Sequence, residues 1–175
     1  MKHRCMLLLA LLALLVVPGL GAETYDLTIR NGRVVDGSGN PAFFADVALK
    51  AGRIAAIGRN PGKARTEIDA TGLIVAPGFI DVHTHADSVA RMPRAENFVR
   101  MGVTTVVAGN CGDSTLDVAA FFRAVERTNT AINVATLVGH NSVRQKGMKG
   151  SFDRPPTPQE MDRMKALVKR AMQDG

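Results

Sequence analysis

The spacing of polar and apolar positions changes character along the chain. It opens with a basic start, Lys2, His3 and Arg4, then an unbroken apolar run from Met6 to Val17. The small-residue break Pro18-Gly19-Leu20-Gly21-Ala22 follows, ahead of polar Glu23 and Thr24. A basic flank, a short apolar stretch and small residues at its end read as a secretory signal peptide over residues 1–22. The run is too short to span a membrane, which takes about 20 apolar residues. The sequence therefore predicts an exported protein, periplasmic or secreted, with no membrane association once the leader is removed.

Over residues 23–76 the pattern becomes short β-type runs separated by turn signals. Asp26 to Ile29 is followed by Asn31-Gly32, and Arg33 to Val35 by Asp36-Gly37-Ser38-Gly39-Asn40-Pro41. Ala45 to Leu49, Ala51-Gly52, Arg53 to Ile57, Gly58 to Gly62 and Leu73 to Val75 continue the alternation. Asn-Gly and Asp-Gly pairs between such runs signal hairpins, and the segment is expected to be a small antiparallel β domain of the sandwich type.

From Pro77 the periodicity turns to alternating strands and helices. Phe79-Ile80-Asp81-Val82 leads through a loop to a helical stretch from about Arg94 to Met101, stopped by Gly102. β-Branched Val103 to Val107 precedes a helix carrying Val118, Phe121, Phe122 and Val125 at helical spacing, with Ser114 and Asp117 fitting a capping box. A third strand, Ile132 to Val138, runs into a long loop, Gly139 to Pro156. Thr157, Pro158 and Glu160 then mark the start of a last helix whose buried stripe is expected at Met161, Met164, Val168 and Ala171. Three strand-helix units in succession predict a parallel sheet. The expected class is α/β, with residues 77–175 forming the first three βα units of an incomplete TIM (β/α)8 barrel, a fold that takes about 250 residues.

Composition narrows the function. The chain has 175 residues, 46% hydrophobic and 22% charged, with 17 Gly and 8 Pro, which excludes a disordered, collagenous or disulfide-stapled protein. The formal net charge is +6, but Lys2 and Arg4 belong to the leader, and 5% aromatics without Trp offer no basic, stacking surface for nucleic acid. Removal of the leader takes Cys5 with it, so no intramolecular disulfide is possible. The remaining thiol, Cys111, is expected to be buried or held as a ligand.

The candidate chemistry sits at strand ends. Pro77-Gly78-Phe79-Ile80-Asp81-Val82-His83-Thr84-His85 places two histidines two residues apart after the first βα strand. In an extended segment such residues point to one side, so both imidazoles can reach one metal ion; the alternative is a surface pair of histidines. The stretch resembles the opening of the metal-bearing barrel in the amidohydrolase superfamily. Gly102 to Gly112, with Asn110-Cys111-Gly112 at its end, resembles the second strand of the D-aminoacylase (N-acyl-D-amino-acid deacylase) branch, as do Leu137-Val138-Gly139-His140 with Arg144, and Arg154-Pro155-Pro156-Thr157-Pro158.

The resemblance implies Zn²⁺, one or two ions, with His83 and His85 in one metal site and Cys111 taking a zinc. Thiolate suits that metal, and a bland reading leaves Cys111 as a small buried residue. Asp81 either supports the ligands as an acceptor behind them or caps a turn, and Asn110 is a similar, weaker candidate. His140 and Arg144 are candidates for holding a substrate carboxylate, against a plain solvated basic loop that also contains Lys146, Lys149 and Arg154. Ala86 stands where the branch usually has an acid. No catalytic residue is identifiable within these 175 residues; the resemblance places the catalytic aspartate, and two further histidine ligands, in sequence beyond Gly175. The implied activity is hydrolysis of a small-molecule N-acyl amino acid to a free amino acid and a carboxylate, by the amino-terminal portion of a larger enzyme. The alternatives are a cyclic-amide hydrolase of the dihydroorotase or hydantoinase kind, and a catalytically dead metal-binding relic.

Overall fold

A computed structural model describes residues 25–148 and 153–175, which form two compact units parting between Pro77 and Gly78. The expected signal peptide, residues 1–22, and Lys149 lie outside the described residues.

The first unit is one five-stranded sheet built from β1 (Tyr25–Val34), β2 (Phe43–Lys50), β3 (Arg53–Gly58), β4 (Ala64–Asp69) and β5 (Ile74–Val75), in the order β3-β2-β1-β4 with β5 also on β1. β1 runs antiparallel to β2, with Leu27 opposite Leu49, and β2 antiparallel to β3 across the two-residue turn Ala51-Gly52, both at positive φ. Val34, Ala45 and Val47 form its buried centre, with Ile29, Leu49 and Val75 against them.

Three expectations change here. The described strands bond into a single sheet instead of two packed layers. That sheet is mixed, because β4 and β5 both lie parallel to β1. Asn31-Gly32 is a bulge inside β1 and not a hairpin: the register slips between Ile29 and Gly32, and Asn31 takes φ 60° while its N–H donates to Asp46 Oδ1 at 2.8 Å. Asp46 also accepts from Asn60 N at 3.0 Å and Arg30 Nη1 at 3.3 Å. Burial pushes the Asp46 carboxyl up, but these three donors together outweigh it and hold the group below the usual carboxylate range.

In the second unit β6 (Phe79–Asp81), β7 (Val103–Ala108) and β8 (Asn133–Thr136) form a parallel sheet in that order. Among the described residues the helices that accompany them are α1 (Glu96–Val99), α2 (Val118–Thr128), α3 (His140–Met148) and α4 (Pro158–Asp174). Ile80, Thr105 and Asn133 share one row across the sheet, and Asp81, Val106 and Val134 the next. Alternation then gives the sheet two unlike faces. Val106 and Ala108 are fully buried with Ile132 and Val103, packed by Phe98, Phe121 and Val125. On the other rows Ile80 and Asn133 are exposed, as is Val82 just past the end of β6. Among the described residues one face has its helical cover and the other has none.

The helices also depart from expectation. The stretch from Arg94 to Met101 contains only the single turn α1, preceded by a 3₁₀ turn over Val89–Arg91. Asp117 itself caps α2, accepting from Ala120 N at 2.9 Å, while Ser114 is bonded to the Gly139 N–H instead. The loop expected from Gly139 to Pro156 contains α3, whose Val143 and Met148 bury against Met164 of α4. On α4 the buried residues are Glu160, Met164 and Ala171, and two members of the expected stripe, Met161 and Val168, face out.

α4 starts with both halves of a capping box. Thr157 Oγ1 accepts from Glu160 N at 3.3 Å, and Glu160 Oε2 accepts from Thr157 N at 2.8 Å. Arg154 adds a two-pronged pair to the same carboxylate, Nη1 to Oε2 and Nη2 to Oε1, both 2.7 Å. The guanidinium first, and the Thr157 amide second, pull the Glu160 carboxyl from 4.5 down to about 2. A depressed carboxyl stabilises the fold above its ordinary value and stops doing so as pH falls toward the folded value. Glu160→Gln should therefore melt below wild type at neutral pH, and the gap in Tm should close between about pH 4.5 and 2. A gap independent of pH would remove the ionic part of this account.

Candidate metal centre

β6 stops at Asp81, and the chain bends before either histidine. The cause is local: Asp81 Oδ1 accepts the backbone N–H of His83 at 3.2 Å, an Asx-type turn that takes the chain out of the strand. Of the two roles open to Asp81, this bond is the turn cap. His83 and His85 thus converge from a bend instead of an extended segment, with ring centroids 6.1 Å apart and planes at 59°.

Cys111 reaches the same place from β7. It adopts φ 58°, between Gly109 at φ 76° and Gly112 at φ 88°, so the turn after the strand is left-handed at three of four residues. For a side chain with a Cβ that conformation costs about 1–2 kcal/mol, and surrounding bonds must offset it. They do so from α3: Gly112 O accepts Asn141 N at 2.7 Å and Ser142 N at 3.2 Å. Ser114 and Ser142 are tied by two further bonds, at 2.9 and 3.0 Å. Gly139 lies so close that a Cβ there would sit 2.3 Å from Gly112 O. The helix that sequence periodicity does not disclose is the buttress of the cysteine turn.

The outcome is a three-donor cluster. His83 Nε2 and Cys111 Sγ are 3.3 Å apart, and one donor atom from each of His83, His85 and Cys111 lies within 4.8 Å of the others. Tetrahedral zinc with bonds of about 2.1 Å to nitrogen and 2.3 Å to sulfur sets those two donors about 3.6 Å apart, so the His83–Cys111 pair needs only a small adjustment. The wider span suits one ion or a pair about 3.5–4 Å apart. Two imidazole nitrogens and a soft sulfur, all three side chains exposed, make a donor set that fits zinc. The exposure of Cys111 also sets aside the expectation of a buried thiol.

The other candidates are placed differently. Asn110 is buried and directs its carboxamide Nδ2 to backbone carbonyls, Val107 O at 2.8 Å and Thr84 O at 3.4 Å. His140 opens α3 and is exposed; Arg144 lies one turn on, half-buried, with Nη2 donating to Arg154 O at 3.2 Å. Arg154 is committed to Glu160. Among the described residues neither His140 nor any carboxylate joins the three-donor cluster. A cleft of about 660 Å³ lined by residues that include Ser114, Asp117, Lys146 and Arg170 contains none of the donors. A smaller recess of about 120 Å³ adjoins His85. Thr84, buried between the histidines, is a member of the site that no sequence pattern indicates.

The sequence and fold are similar to those of known proteins. The profile described as "Amidohydrolase family" matches residues 66–174. The chain belongs to the amidohydrolase family. Among curated amidohydrolase relatives, N-acyl-D-glutamate deacylase of Alcaligenes xylosoxydans xylosoxydans is 39% identical over 82% of this chain, and D-aminoacylase of the same organism 36% over 88%. The crystal structure of N-acyl-D-glutamate deacylase from Bordetella bronchiseptica, complexed with zinc and a phosphonate inhibitor, superposes with TM-score 0.80 at 38% identity over 86% of this chain. The chain spans 35% and 37% of the two curated relatives and 37% of the crystallised one.

Proposed function

We propose that this chain forms the metal-binding front of a zinc-dependent N-acyl-D-amino-acid deacylase, exported by the leader over residues 1–22. The observation that carries the reading is the convergence of His83, His85 and Cys111 from the carboxyl ends of two neighbouring parallel strands, the face on which barrel enzymes do chemistry. Supporting it are the relatives that act on N-acyl-D-amino acids and the zinc held by one of them. The bare sheet face, with Ile80 and Val82 exposed, is suited to the interior of a (β/α)8 barrel completed by further strands.

Held by His83, His85 and Cys111, zinc would supply Lewis acidity to an amide carbonyl and to water near neutral pH. The chain's own residues do the rest of the holding. His83 and His85 would hold the ion through ring nitrogens and Cys111 through its sulfur. Asp81 fixes the turn that aims the first imidazole. Arg144 and His140, on the helix that buttresses the cysteine turn, are proposed to hold a substrate carboxylate. Water adds to the acyl carbon, the C–N bond breaks, and the departing nitrogen takes a proton, giving a carboxylate and a free amino acid. The group that moves that proton is proposed to be an aspartate from the remainder of the barrel.

The test is amine release from N-acetyl-D- and N-acetyl-L-amino acids by the complete protein. Turnover of the D-series, lost with a zinc chelator and restored by zinc, is expected. Undiminished turnover after verified removal of all metal would overturn the reading.

A further inference from the structure

The two segments that carry the metal ligands are joined at one atom. Val107 O, near the end of β7, accepts Thr84 N at 3.1 Å, Thr84 Oγ1 at 2.9 Å and Asn110 Nδ2 at 2.8 Å, and the same Asn110 nitrogen lies 3.4 Å from Thr84 O. Thr84 stands between His83 and His85; Asn110 immediately precedes Cys111. Both are buried, 5% and 9% exposed, directly beside three exposed ligands. Buried polar side chains in that position are costly unless bonded, and here every bond spans or fixes the two ligand segments. Thr84 grips one carbonyl through both its amide and its hydroxyl, which fixes its backbone and its χ1 together. Asn110 reaches back from the cysteine turn to that carbonyl and across to the segment between the histidines. The 3.3 Å separation of His83 Nε2 and Cys111 Sγ is therefore set by a knot one layer beneath it.

We infer that Thr84 and Asn110 are positioning residues that fix the histidine pair relative to Cys111, and so set the affinity and geometry of the metal centre without touching the ion. This inference rests on the reading of His83, His85 and Cys111 as metal ligands. Residues that orient ligands from behind typically govern metal affinity by about 10–100-fold.

The experiment measures the zinc Kd of the complete protein by chelator competition, and the sulfur-to-metal charge-transfer band after Co²⁺ replaces zinc. Thr84→Val removes only the hydroxyl hydrogen bond, Thr84→Ser keeps it, and Asn110→Asp exchanges the donating NH2 for an oxygen facing two carbonyls. Thr84→Val and Asn110→Asp should weaken zinc binding at least about 10-fold and lower or shift the Co²⁺ band, whereas Thr84→Ser should stay within about 2-fold of wild type. A purely structural role would lower the Tm of the metal-free protein while leaving the Kd and the band of the folded protein unchanged, and that result overturns the inference. If Asn110→Asp does not fold, the Thr84→Val and Thr84→Ser pair decides alone. Cys111→Ala separates the two layers of the argument. A wild-type band that survives Cys111→Ala refutes the ligand reading; a band that Cys111→Ala abolishes but Thr84→Val leaves intact refutes the positioning role.

Discussion

Cys111→Ala is expected to strip the tightly bound zinc from the protein, as read by metal analysis after exhaustive dialysis, while His83→Ala and His85→Ala lose less. The thiolate is the softest donor in the cluster and brings a full negative charge, so its bond to zinc is the strongest of the three. Its neighbours cannot replace it, since among the described residues no carboxylate joins the three donors. Zinc content in Cys111→Ala equal to that of wild type would end the ligand assignment.

The second large effect is expected at Gly109. It adopts φ 76°, and a Cβ there would lie 2.3 Å from the carbonyl oxygen of Leu137 and 3.0 Å from its carbonyl carbon and amide nitrogen. Those are backbone atoms and cannot turn aside. The left-handed conformation alone costs about 1–2 kcal/mol with a side chain, and the clash must also separate the ends of β7 and β8. Gly109→Ala should lose at least about 3 kcal/mol in urea unfolding, near the top of the range for single substitutions, and should bind zinc more weakly because the cysteine turn moves. Gly112→Ala is the comparison. It shares the positive φ, but the three atoms nearest its Cβ, at 2.7–3.0 Å, all belong to the Asn141 side chain, which can rotate away. A loss at Gly112 equal to or above that at Gly109 would contradict this view of the turn.

How much of this the sequence discloses differs from element to element. The three candidate donors are legible because His83, His85 and Cys111 each follow a clear apolar strand, and in a parallel sheet strand ends are where side chains meet. What joins them is legible only in part. Asn110 stands out beside Cys111 as a weaker candidate for support, but Thr84 acts through bonds to a main-chain carbonyl, and a carbonyl leaves no mark on the sequence. α3 escapes periodicity because His140–Met148 is largely polar: its buried positions are Val143, Gly147 and Met148, and Gly147 works by letting Met164 come close. β4 escapes for a related reason. At the sheet edge it alternates Arg65, Glu67 and Asp69 with Thr66 and Ile68, and charge conceals the two-residue period.

The remaining misreadings have local causes. Asn31-Gly32 carries the dipeptide of a hairpin, yet Asp46 takes the Asn31 amide and the strand continues past it to pair with Ile74 and Val75. On α4, Met161 and Val168 look like core by type, but the capping box and Arg154 turn Glu160 inward, and the buried face follows Glu160, Met164 and Ala171.

The central claim is that His83, His85 and Cys111 line one zinc centre. Anomalous diffraction at the zinc absorption edge from crystals of the complete protein tests it most directly. The account predicts zinc density about 2.3 Å from Cys111 Sγ, with imidazole nitrogens of His83 and His85 about 2.1 Å from that ion or from a second one beside it. Zinc density elsewhere, with Cys111 Sγ and both imidazoles free of metal, would contradict it.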